Sequence, residues 1–226
     1  DILATLKDKN TRATFVVSGK WARENADMLK RIADEGHEIG TMGDDPSFDG
    51  NLSETKADIQ KSLESIKAES GIDTVLYYSG SRSVAVSARA SRALGLTHVL
   101  STIDLRCGYG SKDDIIKRGL NEPIIGSIIL LQPTRACADA LGGLIDGLNA
   151  KGIIAARVGD VLGGMILEKT NITRINANGN KAGQLYKRYQ FPVTGIEATV
   201  LPSTSPANAA WSLERLCEAW RVILEQ

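Results

Sequence analysis

Between residues 13 and 157, short runs rich in β-branched and other apolar residues alternate with stretches of helical period. That alternation is the pattern of βα units, which build a parallel sheet or barrel with helices packed outside it. The expected strands are Ala13–Ser18, Glu38–Gly40, Thr74–Tyr78, His98–Thr102, Ser127–Leu131 and Ile153–Arg157. They are nearly continuous in apolar residues, as strands covered on both faces must be.

The intervening segments carry apolar stripes three and four residues apart. Trp21–Asp34 aligns Ala22, Met28, Leu29, Ile32 and Ala33, and Glu54–Ala68 aligns Ala57, Ile59, Leu63 and Ile66. Asn51 followed by Glu54 has the form of a capping box. Helices are also expected over Ala85–Leu94, Lys112–Leu120 and Ala136–Ala150, with Gly36, Gly71, Gly95 and Gly152 at the left-handed positions that end helices. The first residues, Asp1 to Lys9, read as a helix entered midway with no cap before it, so the chain is expected to begin inside a domain.

After Gly163-Gly164 the texture changes. Met165–Ile175 alternates like a strand, Asn176-Ala-Asn-Gly-Asn180 reads as a turn, and Tyr186–Val193 and Ile196–Leu201 have strand composition. Ser205-Pro206 supplies a cap and a first-turn proline for a helix with Leu213, Leu216, Trp220 and Ile223 on one face. Two parts are therefore expected, an α/β domain over 1–163 and a small α+β extension over 164–226.

The 27 Lys and Arg balance 27 Asp and Glu, without the basic surplus that nucleic acid or an anionic membrane requires. The three cysteines, Cys107, Cys137 and Cys217, are odd in number and far apart, so they read as isolated apolar residues and not as a zinc or disulfide framework. No apolar run reaches the roughly 18–20 residues of a membrane span, and no stretch reads as a signal peptide.

Three segments together resemble the polysaccharide deacetylase family, the NodB-homology fold of carbohydrate esterases. They are Ala13-Thr-Phe-Val-Val-Ser-Gly-Lys-Trp21, Leu29-Lys-Arg-Ile-Ala-Asp-Glu-Gly-His-Glu-Ile-Gly40 and Gly126-Ser-Ile-Ile-Leu-Leu-Gln-Pro-Thr134. The resemblance covers the first 163 residues and implies a distorted (β/α) barrel. It also implies a chemistry, metal-assisted hydrolysis of an N-acetyl sugar. In the family a divalent ion held by two His and one Asp activates a water, a second Asp takes its proton, and a His protonates the leaving amine.

The motifs that carry this chemistry are degenerate. The strand bearing both carboxylates would precede Asp1, so the domain is expected to lack its first strand. Where the family reads roughly NHGYSHP, this chain has Thr41-Met-Gly-Asp-Asp-Pro46, with Met42 and Asp45 at the two ligand positions. The orienting arginine of RPPYG becomes Tyr78, and in Thr102-Ile-Asp-Leu-Arg-Cys-Gly108 only Asp104 of the SVDTLDW motif survives. The histidine of LLHPT is Gln132. A thioether is a poor ligand for the ions such sites use, and a carboxamide has no accessible proton to shuttle. The resemblance thus implies no catalytic set, and Met42, Asp45, Tyr78, Asp104 and Gln132 mark degenerate positions.

Other residues admit more than one reading. His37 in GHEIG is a scaffold residue in the resemblance, and His98 reads as a satisfied imidazole in a strand. Asp44 and Asp45, with Asp49, are the acidic group from which a hard cation such as Ca²⁺ would draw ligands, though Asp-Asp-Pro also suits a turn. Tyr77, Tyr78, Ser79, Ser81 and Arg82 either line a sugar groove or fill volume left by the catalytic groups. Trp211 and Trp220 read as core or interface.

The expected function is a degenerate polysaccharide-deacetylase homologue, without cofactor, that binds glycan or serves as a structural or assembly subunit of the bacterial envelope. Its partner is then a cell-wall polysaccharide or another protein, not nucleic acid, and its place is extracytoplasmic. The alternative is a hydrolase of carbon–nitrogen bonds with a divalent ion in a site rebuilt from Asp44, Asp45 and Asp104. A barrel without its first strand leaves a hydrogen-bonding edge open, and Ile196–Leu201 is expected to fill it beside Ala13–Ser18.

Overall fold

The computed structural model describes residues 1–121, 126–164, 174–191, 195–204 and 211–223. Its contacts divide the chain into two units, Asp1–Gly159 and Asp160–Gln226.

In the first unit the order is α1 (Ile2–Asp8), β1 (Thr14–Val17), α2 (Gly19–Glu24), α3 (Ala26–Asp34), β2 (Glu38–Thr41), α4 (Leu52–Ser70), β3 (Leu76–Tyr78), α5 (Val84–Ala93), β4 (Thr97–Val99), β5 (Ile103–Asp104), α6 (Lys112–Asn121), β6 (Ile129–Leu130) and α7 (Arg135–Ala150). Strands β1-β2-β3-β4 form one parallel sheet in sequence order, and β5 pairs with β6 in a second parallel ladder. Every strand therefore points the same way within its sheet, and the loops that follow the strands share one end of it, where α/β folds place their sites. This is the α/β architecture expected, a distorted barrel whose strands are split between two ladders.

The core explains the segmentation. Leu29, Ile32 and Ile39 pack with Leu3, Val17, Ala22 and Ile66 into one apolar cluster, and Leu105, Ile115, Ala140, Leu144 and Leu148 into another. Asp1 turns out to be the cap that the sequence reading missed, since its carboxylate accepts from Leu3 N at 3.1 Å. The expected single helix over Trp21–Asp34 is two helices, broken at Asn25, whose Nδ2 donates to Trp21 O at 3.0 Å in competition with the helix backbone. The break shifts the phase of the stripe, so Met28 is 43% exposed while Leu29 is buried. On α4 the buried face is Thr55, Ile59, Ser62 and Ile66, with Ala57 exposed. Its two hydroxyl residues are tolerated because each has a partner, Thr55 Oγ1 donating to Gly50 O at 3.2 Å and Ser62 Oγ lying 2.7 Å from Thr41 Oγ1 on β2. The capping box at Asn51 and Glu54 is formed, and Gly36, Gly71, Gly95 and Gly152 are all left-handed.

Ile153–Arg157 is not a strand. The segment is tied down by side chains in place of a ladder. Val158 N donates to Thr14 Oγ1 at 2.8 Å, and Gly159 N donates to Glu38 Oε2 at 2.9 Å.

In the second unit, β7 (Ile175–Asn178) pairs in parallel with β8 (Ala198–Leu201), joined through α8 (Asn180–Leu185) and a π-helical turn over Tyr186–Gln190, and α9 (Leu213–Trp220) follows. Three expectations are corrected. Asn176–Asn178 lies in a strand, Tyr186–Gln190 is helical, and Ile196–Leu201 does not pair with Ala13–Ser18, because its ladder partner is Ile175–Asn178. Ser212 caps α9, its Oγ accepting from Arg215 N. Ser205-Pro206 and most of Met165–Ile175 lie outside the described residues. Trp220 Nε1 donates to Pro202 O at 2.9 Å, while Leu213 on the same helix is 77% exposed. No helix among the described residues is long and apolar enough to cross a membrane.

Candidate functional site

Tyr78 and Asp104 end β3 and β5, and Met42 and Gln132 lie just after β2 and β6, so all four stand at strand C-terminal ends. Met42 continues the sheet, its N–H donating to Val17 O at 3.0 Å, and it stands half-buried near Gly80. After it, Gly43 has φ +90 and sits against the Asp58 and Arg82 side chains, so any other residue would meet both strain and collision.

Asp44 is buried, and its carboxylate is fully engaged. Arg23 Nη1 donates at 2.6 Å and Lys61 Nζ at 2.6 Å. The Arg23 hydrogen bond, reinforced by Lys61 against the cost of burial, holds this carboxyl below the ordinary carboxylate range. Asp44 is therefore a tie between α2 and α4, and its candidacy as a cation ligand fails. Asp45 is exposed and turns back on its own loop, its Oδ1 accepting from Ser47 N at 2.9 Å and Ser47 Oγ at 2.7 Å. Those two bonds lower its pKa. Asp49 is exposed.

Of the two readings of Arg82, lining a sugar groove or filling vacated volume, its inward position agrees with the second. It is 6% exposed and pairs with Asp58 at 2.8 Å, and it also donates to Asp45 O. Asp58 completes the clamp by accepting from Asp45 N at 3.0 Å, and the guanidinium lies 5.9 Å from the Phe48 ring centre. A guanidinium buried and committed to Asp58 and the Asp45 carbonyl serves the fold before any ligand. Tyr78 is half-buried, and Ser81 is exposed. Ser79 is buried with an Oγ that has no hydrogen-bond partner among the described residues, an unused donor and acceptor at the strand end. Tyr77 is core, with its hydroxyl 3.3 Å from Ser87 Oγ and its ring 5.5 Å from that of His98.

The two histidines differ. His37 is structural, as expected, its Nδ1 accepting from Ala13 N at 3.2 Å and its ring edge-on to Phe15. His98 is not satisfied, because its buried Nε2 has no partner among the described residues. Burial lowers both pKa values.

On the β5-β6 side, Gln132 Nε2 donates to Asp104 Oδ1 at 3.1 Å while its Oε1 accepts from Cys107 N at 3.0 Å. Asp104 Oδ1 also accepts from Arg106 N at 2.8 Å, and Arg106 is held at φ +46. Arg118 donates to Leu105 O and Tyr109 O at 2.9 and 2.7 Å, so the loop is braced from beneath. Tyr109 rides on it 76% exposed. The sequence reading missed Tyr109, whose only signal was an aromatic residue between two glycines in the loop that follows a strand.

The family's divalent ion does not fit these residues. Among the described residues no three His, Cys, Asp or Glu side chains come together as a ligand group. At the two histidine positions stand a thioether and a carboxylate committed to Ser47. Asp44, Asp45 and Asp104 form no such ligand group either, and Asp44 is already engaged by two cations.

Residues 1–99 match the family of polysaccharide deacetylases. An uncharacterised protein of Bacillus subtilis, YlxY, is 28% identical over 170 residues, which are 71% of this chain and 52% of that protein. The chain thus spans about half the length of this curated relative. Among solved structures, a CE4 family pseudoenzyme from Bacillus anthracis is 24% identical with a TM-score of 0.68, covering 72% of this chain and 59% of that one. A mutant of the same pseudoenzyme, described as having restored enzymatic activity, gives the same TM-score of 0.68. A peptidoglycan N-acetylglucosamine deacetylase is 26% identical with a TM-score of 0.64, covering 71% of this chain and 79% of its own. With the matched segment, the parallel βα order and these neighbours in agreement, residues 1–99 carry the sequence pattern of the polysaccharide deacetylases and the first unit has their fold.

Proposed function

We propose that the first unit is a catalytically silent polysaccharide deacetylase homologue that binds an N-acetylated glycan of the bacterial cell envelope, outside the cytoplasm. The observation that carries the reading is the carboxamide of Gln132. In the family resemblance it stands where the proton-donating histidine would be, and both its ends are engaged, by Asp104 and by the Cys107 amide. A carboxamide so held neither donates a proton to a leaving amine nor ligates a metal. Peptidoglycan deacetylase and pseudoenzyme neighbours support the glycan and the silence together. The half-buried Tyr78 and the exposed Tyr109 ring supply aromatic faces suited to a sugar.

Chitotetraose incubated with the chain and Zn²⁺ or Co²⁺ is expected to release no acetate above background. Binding of the same oligomer, followed by NMR or calorimetry, is expected to weaken in Tyr109→Ala and Tyr78→Ala. Chelator-sensitive acetate release overturns the silence. Undiminished binding in both variants, or no binding at all, overturns the assignment of the site.

A further inference from the structure

We propose that Cys107 and Cys137 join in a disulfide when the chain folds under oxidising conditions, and that the bond fastens the loop beside Asp104 to the first turn of α7. The sequence reading took these cysteines as isolated, thirty positions apart. The fold brings them into one apolar cluster with Leu105, Ile115, Ala140 and Leu144, at 2% and 1% exposure. One hydroxyl joins their backbones. Thr134 Oγ1 donates to Cys107 O at 3.0 Å and accepts from Cys137 N at 3.2 Å. The shared hydroxyl draws the two backbones together, and the Cys137 thiol adjoins that of Cys107 closely enough to hydrogen-bond with it, so the two sulfurs are neighbours.

The thiol environment agrees with this placement. Burial first, and then a hydrogen bond to the Cys107 thiol, push Cys137 up to about 12. A thiol with so little thiolate and so little exposure exchanges poorly in the folded state. The bond therefore closes during folding and is sheltered afterwards. In that step both S–H bonds break and one S–S bond forms. Two electrons and two protons pass to a disulfide oxidant, a small-molecule disulfide or a thiol–disulfide oxidoreductase, which leaves as two thiols. Cys217 is exposed on α9 in the other unit and takes no part. The consequence for the site is direct, because Cys107 N holds Gln132 Oε1. Locking Cys107 locks the carboxamide and its bond to Asp104.

The test refolds the full reduced chain in a mixture of oxidised and reduced glutathione, then denatures it and labels it with a maleimide. One label per chain is expected, on Cys217, with Cys107 and Cys137 recovered in one cross-linked peptide. The Tm of the oxidised chain should exceed that of the reduced chain by about 5–10 °C, and Cys137→Ser should abolish the difference. A Cys217→Ser chain produced directly in an oxidising compartment should take up no label after denaturation, which gives the test without refolding. Labelling of all three cysteines after oxidation, a cross-link through Cys217, or an oxidised chain that melts no higher than the reduced one would overturn the proposal.

Discussion

Gln132 Nε2 donates to Asp104 Oδ1 across 3.1 Å, joining the end of β6 to the end of β5 through two positions that the family resemblance assigns to chemistry. The pair works only because one partner is an amide, for a second carboxylate there would oppose Asp104. Gln132→Glu is expected to cost about 1–2 kcal/mol at neutral pH. The deficit should shrink as the pH falls to about 4 and a protonated carboxyl again donates. Urea unfolding at the two pH values checks this, and a deficit independent of pH would contradict it.

Arg82 and Asp58 are almost wholly buried together, with side-chain exposures of 4% and 10%. Arg82→Ala leaves Asp58 without its cation and strips the loop carbonyl of Asp45 of its donor, so a loss of about 3–5 kcal/mol is expected. Arg82→Lys should recover only part of it, because one ammonium cannot span both acceptors in the geometry of the guanidinium. A chemical denaturation curve for Arg82→Ala within error of the parent chain would refute the clamp.

The Asp44 carboxyl, held below its ordinary value of 3.8 by Arg23 and then Lys61, contributes stability above that value and loses it as the pH drops through the lowered one. Its two cations are partly exposed, which reduces the contribution. Asp44→Ala should therefore cost about 1–3 kcal/mol above pH ~5, with the gap closing in acid. A gap that widens below pH ~4 would point to another cause.

Burial lowers the pKa of both His37 and His98 from 6.5, against a smaller opposing pull on His37 from Glu35 and with Arg12 and Arg157 aiding the shift. A depressed imidazole stabilises the fold above the unfolded value of 6.5, and that stability is lost as the pH falls below it toward the folded value. The urea midpoint is expected to decline between about pH 7 and 5. His37→Ala and His98→Ala should each flatten part of the decline. An unchanged slope in both variants would show that other groups titrate.

Much of the architecture was legible in the chain itself. Helical and strand periods, the Asn51–Glu54 box and the four helix-ending glycines are local properties, decided within a turn or two of backbone. So was the degeneracy of the motifs, because Met42 and Gln132 differ in kind from the residues the resemblance would place there. Local pattern failed where a side chain competed with the backbone. Asn25 broke a helix that apolar spacing alone made continuous, and Ile153–Arg157 lost its ladder to the anchoring of the next two residues by Thr14 and Glu38.

What the tertiary structure decided is which charges and thiols meet. Composition counts Asp44, Arg82 and Cys137 but cannot say that Arg23 and Lys61 consume the first, Asp58 the second, or that the third shares Thr134 with Cys107. These partners lie on different elements, and their separation in sequence carries no periodic signal. Hydrogen bonds and ion pairs act over a few ångströms and depend on direction. The loops after parallel strands therefore acquire their chemistry only when the sheet sets them side by side, whereas apolar burial repeats along the chain and can be read from it.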